Sequence, residues 1–259
     1  IGAQCYALRS KKEIEWSRAM KKKIFAIVVL LLILFAVASS RIKITRVEYS
    51  HITHGSWFDT QALNQEIFQK KGDNLLVKVW FRQMTGDLPK LPFVQSYRIK
   101  FHGLHQAEIA IQEEDIVAYI EYMGSKFYID DGAKVLESSS KVLDGVIRVD
   151  GVEFKEIHLG ETLRAEDETE LNEMLGYLRS LRSFHIQGDR FFYSKLGDNY
   201  LYINKMDINL GTRENMQDKL ETLADMLPDI LKQNLDGTLF LNRYTDKPSS
   251  GWYTFKRRS

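Results

Sequence analysis

Between Lys23 and Arg41 the chain runs for 17 residues without a charge, IFAIVVLLLILFAVASS, and any fold must find cover for them. As an α-helix the run spans about 25 Å at ~1.5 Å per residue, the short end of what crosses a bilayer. Lys23 and Arg41 can snorkel and make up the difference. Residues 1–23 carry seven Lys/Arg against Glu13 and Glu15, whereas the rest of the chain holds 29 basic and 33 acidic residues. A cationic flank of this kind stays in the cytoplasm. The pattern therefore predicts a cytoplasmic basic tail over 1–23, a single transmembrane helix over 24–40 and an extracytoplasmic remainder. The alternative is a secretory signal peptide cut after Ala36-Val37-Ala38, although its polar start would be unusually long.

The lone Cys5 falls in the basic tail, so the outer part has no disulfide and holds together by burial. With 44% apolar and 27% charged residues the chain belongs to the folded class. Beyond residue 40 there is no concentrated basic face, which argues against nucleic acid as a partner.

Two differently built segments follow. In residues 41–114, IKITRVEYS reads as a strand with an irregularity. Asp59 or Thr60 can cap a helix with Leu63, Ile67 and Phe68 inward and Gly72 at its end. A second helix, VKVWFRQMTG, offers Val77, Phe81 and Met84 as its inward stripe. Pro89 and Pro92 forbid more helix. SYRIKF and AEIAIQE alternate as strands around an HGLH turn. Strand, helix, helix, strand, strand makes a small α+β unit.

Residues 115–259 read as a larger, mainly antiparallel β-sheet domain with two packed helices. Short β-like runs fill 116–159 and 183–210. One helix buries Leu171, Met174, Leu175, Leu178 and Leu181; the other buries Met216, Leu220, Leu223, Leu227, Ile230 and Leu231. The chain closes with GTLFLNRY and WYTF. The fold class expected is α+β throughout.

Several groups have the types that chemistry uses. Glu113 and Asp115 share a strand face, but a glycosidase needs carboxyls facing each other across a sugar. Asp130-Asp131-Gly132 reads as a turn. Ser138-x-x-Lys141 matches a serine-nucleophile pattern, without the companion motifs of that enzyme class. His51/His54 and His102/His105 form H-x-x-H pairs, fewer ligands than zinc requires. No phosphate-cradling glycine motif is present. The reading is thus of a non-enzyme without cofactor or metal. The alternative is a membrane-anchored cell-wall enzyme using Ser138/Lys141 or the clustered carboxylates.

The order of pieces resembles the FtsQ/DivIB family of bacterial cell-division proteins. Gly72-x-Asn74-Leu75-Leu76 is similar to the family's turn between the helices of its POTRA domain. Leu91-Pro92-Phe93-Val94 is similar to the lead into the second strand. Glu114-x-x-Val117-Ala118 and Tyr128-Ile129-Asp130-x-Gly132-x-x-x-Leu136 resemble the crossing into the β domain, and Leu210-Gly211 with Lys219-Leu220 a strand-end, helix-start element. The sequence departs from the pattern at Ser50-His51-Ile52-Thr53-His54, where a glycine is usual, and at Phe240, where many relatives carry an acid.

The resemblance implies a POTRA-type domain over 41–114 and a β domain over 115–259. It also implies a division-septum scaffold, spanning the plasma membrane once, that binds FtsL-like and FtsB/DivIC-like proteins. Through them it would act indirectly on septal peptidoglycan synthases. Carried onto this chain, the partner-binding region is Leu239, Leu241, Arg243, Tyr244, Trp252 and Tyr253. A terminal strand there can accept a partner strand at a sheet edge. Leu239 and Leu241 are equally suited to filling the core.

Overall fold

In the computed structural model the described residues are 20, 23–31, 34, 37, 41–242 and 253–258. The basic tail expected over 1–23 therefore lies outside them, apart from Met20 and Lys23. The expectation of a transmembrane helix over 24–40 is corrected: no helix among the described residues is long and apolar enough to cross a membrane.

The chain divides into two units, each α+β. The first comprises Ile1–Ile52, Asp59–Leu91 and Ser96–Gln112. Its elements are β1 (Arg46–Ser50), α1 (Thr60–Ile67), α2 (Leu76–Thr85), β2 (Val94–Phe101) and β3 (Gln106–Glu113). The sheet order is β1-β3-β2, with β1 parallel to β3. Asp59 caps α1 by accepting from the Gln61 N–H at 2.8 Å. Leu63 and Ile67 are buried, as are Ile99, Ala107, Ile109 and Ile111 of the strands.

In α2 the inward stripe differs from the expectation. Val79 is buried, whereas Val77, Phe81 and Met84 are exposed. The apolar positions of this short helix fit more than one face, and polar anchors decide its rotation. Buried Asp73 takes Lys78 Nζ at 2.7 Å and Arg82 at 3.6 Å. Gln83 Oε1 accepts the Ile99 N–H of β2 at 2.7 Å. These bonds bring 78, 82 and 83 toward the body and turn 77, 80, 81 and 84 outward.

The second unit comprises Thr53–Phe58, Pro92–Gln95 and Glu113–Ser259. Its strands are β4 (Ala118–Tyr122), β5 (Ser125–Ile129), β6 (Val135–Ser139), β7 (Ile147–Asp150), β8 (Phe154–Glu156), β9 (Arg164–Ala165), β10 (Arg190–Phe192), β11 (Asn199–Ile203), β12 (Met206–Gly211), β13 (Gly237–Phe240) and β14 (Thr254–Arg257). Nine of them form one sheet in the order β14-β13-β12-β11-β10-β7-β4-β5-β6. The sheet is mixed: five neighbouring pairs are antiparallel, while β12–β13, β10–β7 and β4–β7 are parallel.

Helices α3 (Glu168–Ser183) and α4 (Met216–Lys232) line one side. Leu171, Met174, Leu178, Leu220 and Leu223 share a core with Phe191, Leu201, Ile208 and Leu239. Strand alternation sends the neighbours Tyr200, Tyr202 and Asn209 to the other side. Behind β4 and β5 a second buried cluster joins Trp57, Phe93, Tyr119, Tyr128, Leu143 and Val146.

Candidate protein-binding edge

The end of the large sheet is assembled by a crossover from β12 through α4 to β13. At its start, buried Lys219 donates to the carbonyl oxygens of Leu210 (2.9 Å) and Thr212 (3.0 Å). Burial pulls the Lys219 ammonium below its ordinary range. Gly211, at φ +67°, lets the returning chain pass: a Cβ there would meet Asn242 Cα at 2.8 Å. β13 then runs parallel to β12, with Ile208 opposite Leu239.

β14 closes the sheet antiparallel to β13, pairing Gly237 with Arg257 and Leu239 with Phe255. A Cβ on Gly237 would stand 2.2 Å from the Lys256 carbonyl oxygen, so β14 approaches as it does because that residue is glycine. Phe255 packs against the main core. Arg258 fastens the strand end through Asp207 (2.5 Å) and Asp236 (3.5 Å), and its N–H donates to the Asp236 carbonyl at 3.1 Å.

That last bond fixes the parity of the edge. Hydrogen-bonded and non-bonded pairs alternate in an antiparallel ladder. With Arg258 bonded to Asp236, the backbone groups of 254 and 256 turn toward β13. Those of Phe255 and Arg257 turn outward, and among the described residues no strand pairs with them. The edge is thus a short row of backbone donors and acceptors carrying cationic Lys256, Arg257 and Arg258.

The sheet face opposite the core adds aromatic surface. Register puts Phe240 beside Asn209, Asn209 beside Tyr200 and Tyr200 beside Phe192. Arg190 lies 4.9 Å from the Tyr202 ring centre and also holds Asp150 at 2.6 Å. Half-buried aromatic and arginine side chains are the usual anchors of protein interfaces.

Of the residues expected to bind a partner, Leu239 and Leu241 are buried in the main core. Their side chains fill the domain rather than face outward. Tyr253 is 51% exposed, immediately before β14. Arg243, Tyr244 and Trp252 lie outside the described residues. Phe255 and Arg257, whose backbone forms the edge, were not singled out in the sequence. Their alternation with Thr254 and Lys256 was the available signal, too short to stand out.

The other candidate groups are engaged elsewhere. Burial acts to raise the Glu113 carboxyl, but the His54 N–H, the His54 ring and the Thr53 N–H outweigh it and leave the group below its usual range. Asp115 pairs with Arg182 at 2.6 Å. Asp130 Oδ1 accepts the N–H groups of Gly132 and Lys134, as a turn residue does. Lys141 Nζ donates to the carbonyls of Ser56 (3.1 Å) and Trp57 (2.6 Å). His102 bonds Glu108 and His105 bonds the Lys43 carbonyl. No group of three or more His, Cys, Asp and Glu among the described residues could hold a metal ion.

No family model matches the chain. Over 150 residues it is 24% identical to the cell division protein DivIB of Clostridium botulinum strain Hall, and equally to that of strain Loch Maree. Each match takes in 56% of this chain and 59% of the relative, so the chain spans well under two thirds of the length of the proteins it matches. This similarity to proteins named cell division protein DivIB agrees with the order of motifs from Gly72 to Leu220, which resembles that of the FtsQ/DivIB family.

Proposed function

We propose that the chain serves in bacterial cell division as a non-catalytic binding protein. Its outer edge at β14 would receive an extended segment of an FtsL-like or FtsB/DivIC-like protein as an additional strand. Backbone hydrogen bonds to Phe255 and Arg257 would supply affinity, and the aromatic face around Phe240 and Tyr200 would supply specificity. By holding such partners at the septum it would help control peptidoglycan synthases that it does not itself touch. In this reading residues 41–114 act as a POTRA-type docking module.

The observation that carries the reading is the outward backbone at Phe255 and Arg257, with which no strand among the described residues pairs. Similarity to two proteins named cell division protein DivIB supports the cellular role. A cell-wall enzyme is the weaker reading, since Lys141, the base it would need, is committed to two backbone carbonyls.

The test separates backbone from side chain. Arg257→Pro removes an outward N–H and leaves the β13-facing bonds of 254 and 256 in place. Arg257→Ala keeps the edge. Arg257→Pro should abolish capture of the partners' outer segments, with Arg257→Ala binding within a few-fold of the unchanged chain. Equal binding by Arg257→Pro would refute strand addition here.

A further inference from the structure

Helix α2 carries an apolar face that nothing among the described residues covers. Val77, Trp80, Phe81 and Met84 are 40, 52, 58 and 72% exposed. Their spacing of three, four and seven residues makes one continuous stripe. The opposite side of the helix is fully used, by Val79 in the core, by Lys78 and Arg82 on Asp73, and by Gln83 on Ile99. The stripe is therefore not a misplaced core face that a small rotation would bury.

Two observations say what covers it. The first is charge. No acid occurs within Leu76–Thr85. Residues 70–90 hold Lys70, Lys71, Lys78, Arg82 and Lys90 against Asp73 and Asp87, and Asp73 is buried. Lys78 and Arg82 are spent on Asp73, and Lys70, Lys71 and Lys90 against Asp87 leave the flanks of α2 net cationic, which suits phosphate head groups. Pairing with a second copy would set this net positive charge against itself. The second is position. The Leu76 N–H donates to the Ile42 carbonyl at 2.9 Å and the Ile44 N–H to Asn74 at 2.8 Å. The start of α2 is thereby tied to the residues that directly follow the uncharged run 24–40, where Phe25, Leu30 and Leu31 are also exposed.

We propose that the Val77–Trp80–Phe81–Met84 face of α2 lies on the surface of an anionic lipid bilayer. Ten residues make a helix about 15 Å long, enough to seat Trp80 and Phe81 at the head-group boundary with the cations around them. This contact would fix how residues 41–114 meet the membrane, and it does not depend on the β14 edge.

The run 24–40 could by itself bring the chain to vesicles, so the readout belongs on α2. In the full chain with Cys5→Ser, Met84→Cys accepts an environment-sensitive fluorophore. Vesicles containing phosphatidylglycerol should shift its emission to the blue and allow quenching by brominated lipid. Phosphatidylcholine vesicles should do so much less. Trp80→Ser with Phe81→Ser should abolish the response while circular dichroism stays unchanged. Each Lys→Gln change among Lys70, Lys71 and Lys90 should weaken it by up to roughly fivefold. A label that stays in water while the chain floats with the vesicles would overturn the proposal. So would an equal response to both lipids, or a blue shift that grows with protein concentration without lipid.

Discussion

The ammonium of Lys219 lies 2.9 Å from the carbonyl oxygen of Leu210, nine residues earlier, and forms no ion pair among the described residues. A buried cation is being used to close the end of a strand. Lys219→Met would leave the carbonyls of Leu210 and Thr212 without this donor while relieving the cost of a buried charge. A net destabilisation of about 1–3 kcal/mol is expected, measurable by urea unfolding. Amide exchange should accelerate at Leu239 and Leu241, which are held against β12.

Gly237→Ala should act on β14 more than on the core. At φ +152° its new methyl would fall 2.2 Å from the Lys256 carbonyl oxygen, so the terminal strand must move. The expected loss is about 1–3 kcal/mol, the usual cost of a strained backbone position. Exchange protection at Lys256 and Arg258 should disappear, and with it the capture of partner segments.

Substitutions at the chemically suggestive groups should sort by structure, not by reactivity. Ser138 is an exposed strand residue, and Ser138→Ala should leave both stability and division function unchanged. Glu113→Ala removes the acceptor for two backbone N–H groups and the His54 ring. It should lower stability by about 1–3 kcal/mol. Lys141→Ala should likewise loosen residues 53–58, seen as faster exchange at the Trp57 indole N–H. Complementation of a depleted strain, read beside thermal unfolding, checks all three. Loss of function in Ser138→Ala with unchanged unfolding would favour the enzyme.

Asp167 caps α3 through the Thr169 N–H at 2.8 Å and pairs with Lys195. The Lys195 hydrogen bond, followed by that cap, brings its carboxyl from 3.8 to about 2. A carboxyl lowered in the folded state adds stability above its unfolded pKa, and that stability is lost as pH falls through the folded value. Asn caps a helix about as well as Asp, so Asp167→Asn isolates the charge. The unchanged chain should be the more stable at pH 5, and the difference should vanish between about pH 4 and 2 in paired denaturant titrations.

Local pattern was enough for the elements. The Asp59 cap, the alternation of Ile109 and Ile111, and the stripe Leu171–Met174–Leu175–Leu178–Leu181 all follow from period and capping, which neighbouring residues settle among themselves. The motifs from Gly72 to Leu220 likewise carried the family resemblance, because they are short and lie in order along the chain. Pairing was different. Nothing in GTLF announces that it lies parallel to MDINLG, or that Leu239 and Leu241 face inward while Phe255 and Arg257 leave their backbone outward. The face of α2 was expected to turn Val77, Phe81 and Met84 inward, and the hold of Asp73 on Lys78 and of Ile99 on Gln83 turns them outward instead. The apolar run 24–40 was the strongest signal in the sequence, yet no helix among the described residues is long and apolar enough to cross a membrane. The amino-acid order by itself determined which segments become helix or strand, since those choices are made within a turn or a pleat. Tertiary structure alone decided which side of each segment is covered and which edge stays open, because both depend on residues far apart in the chain.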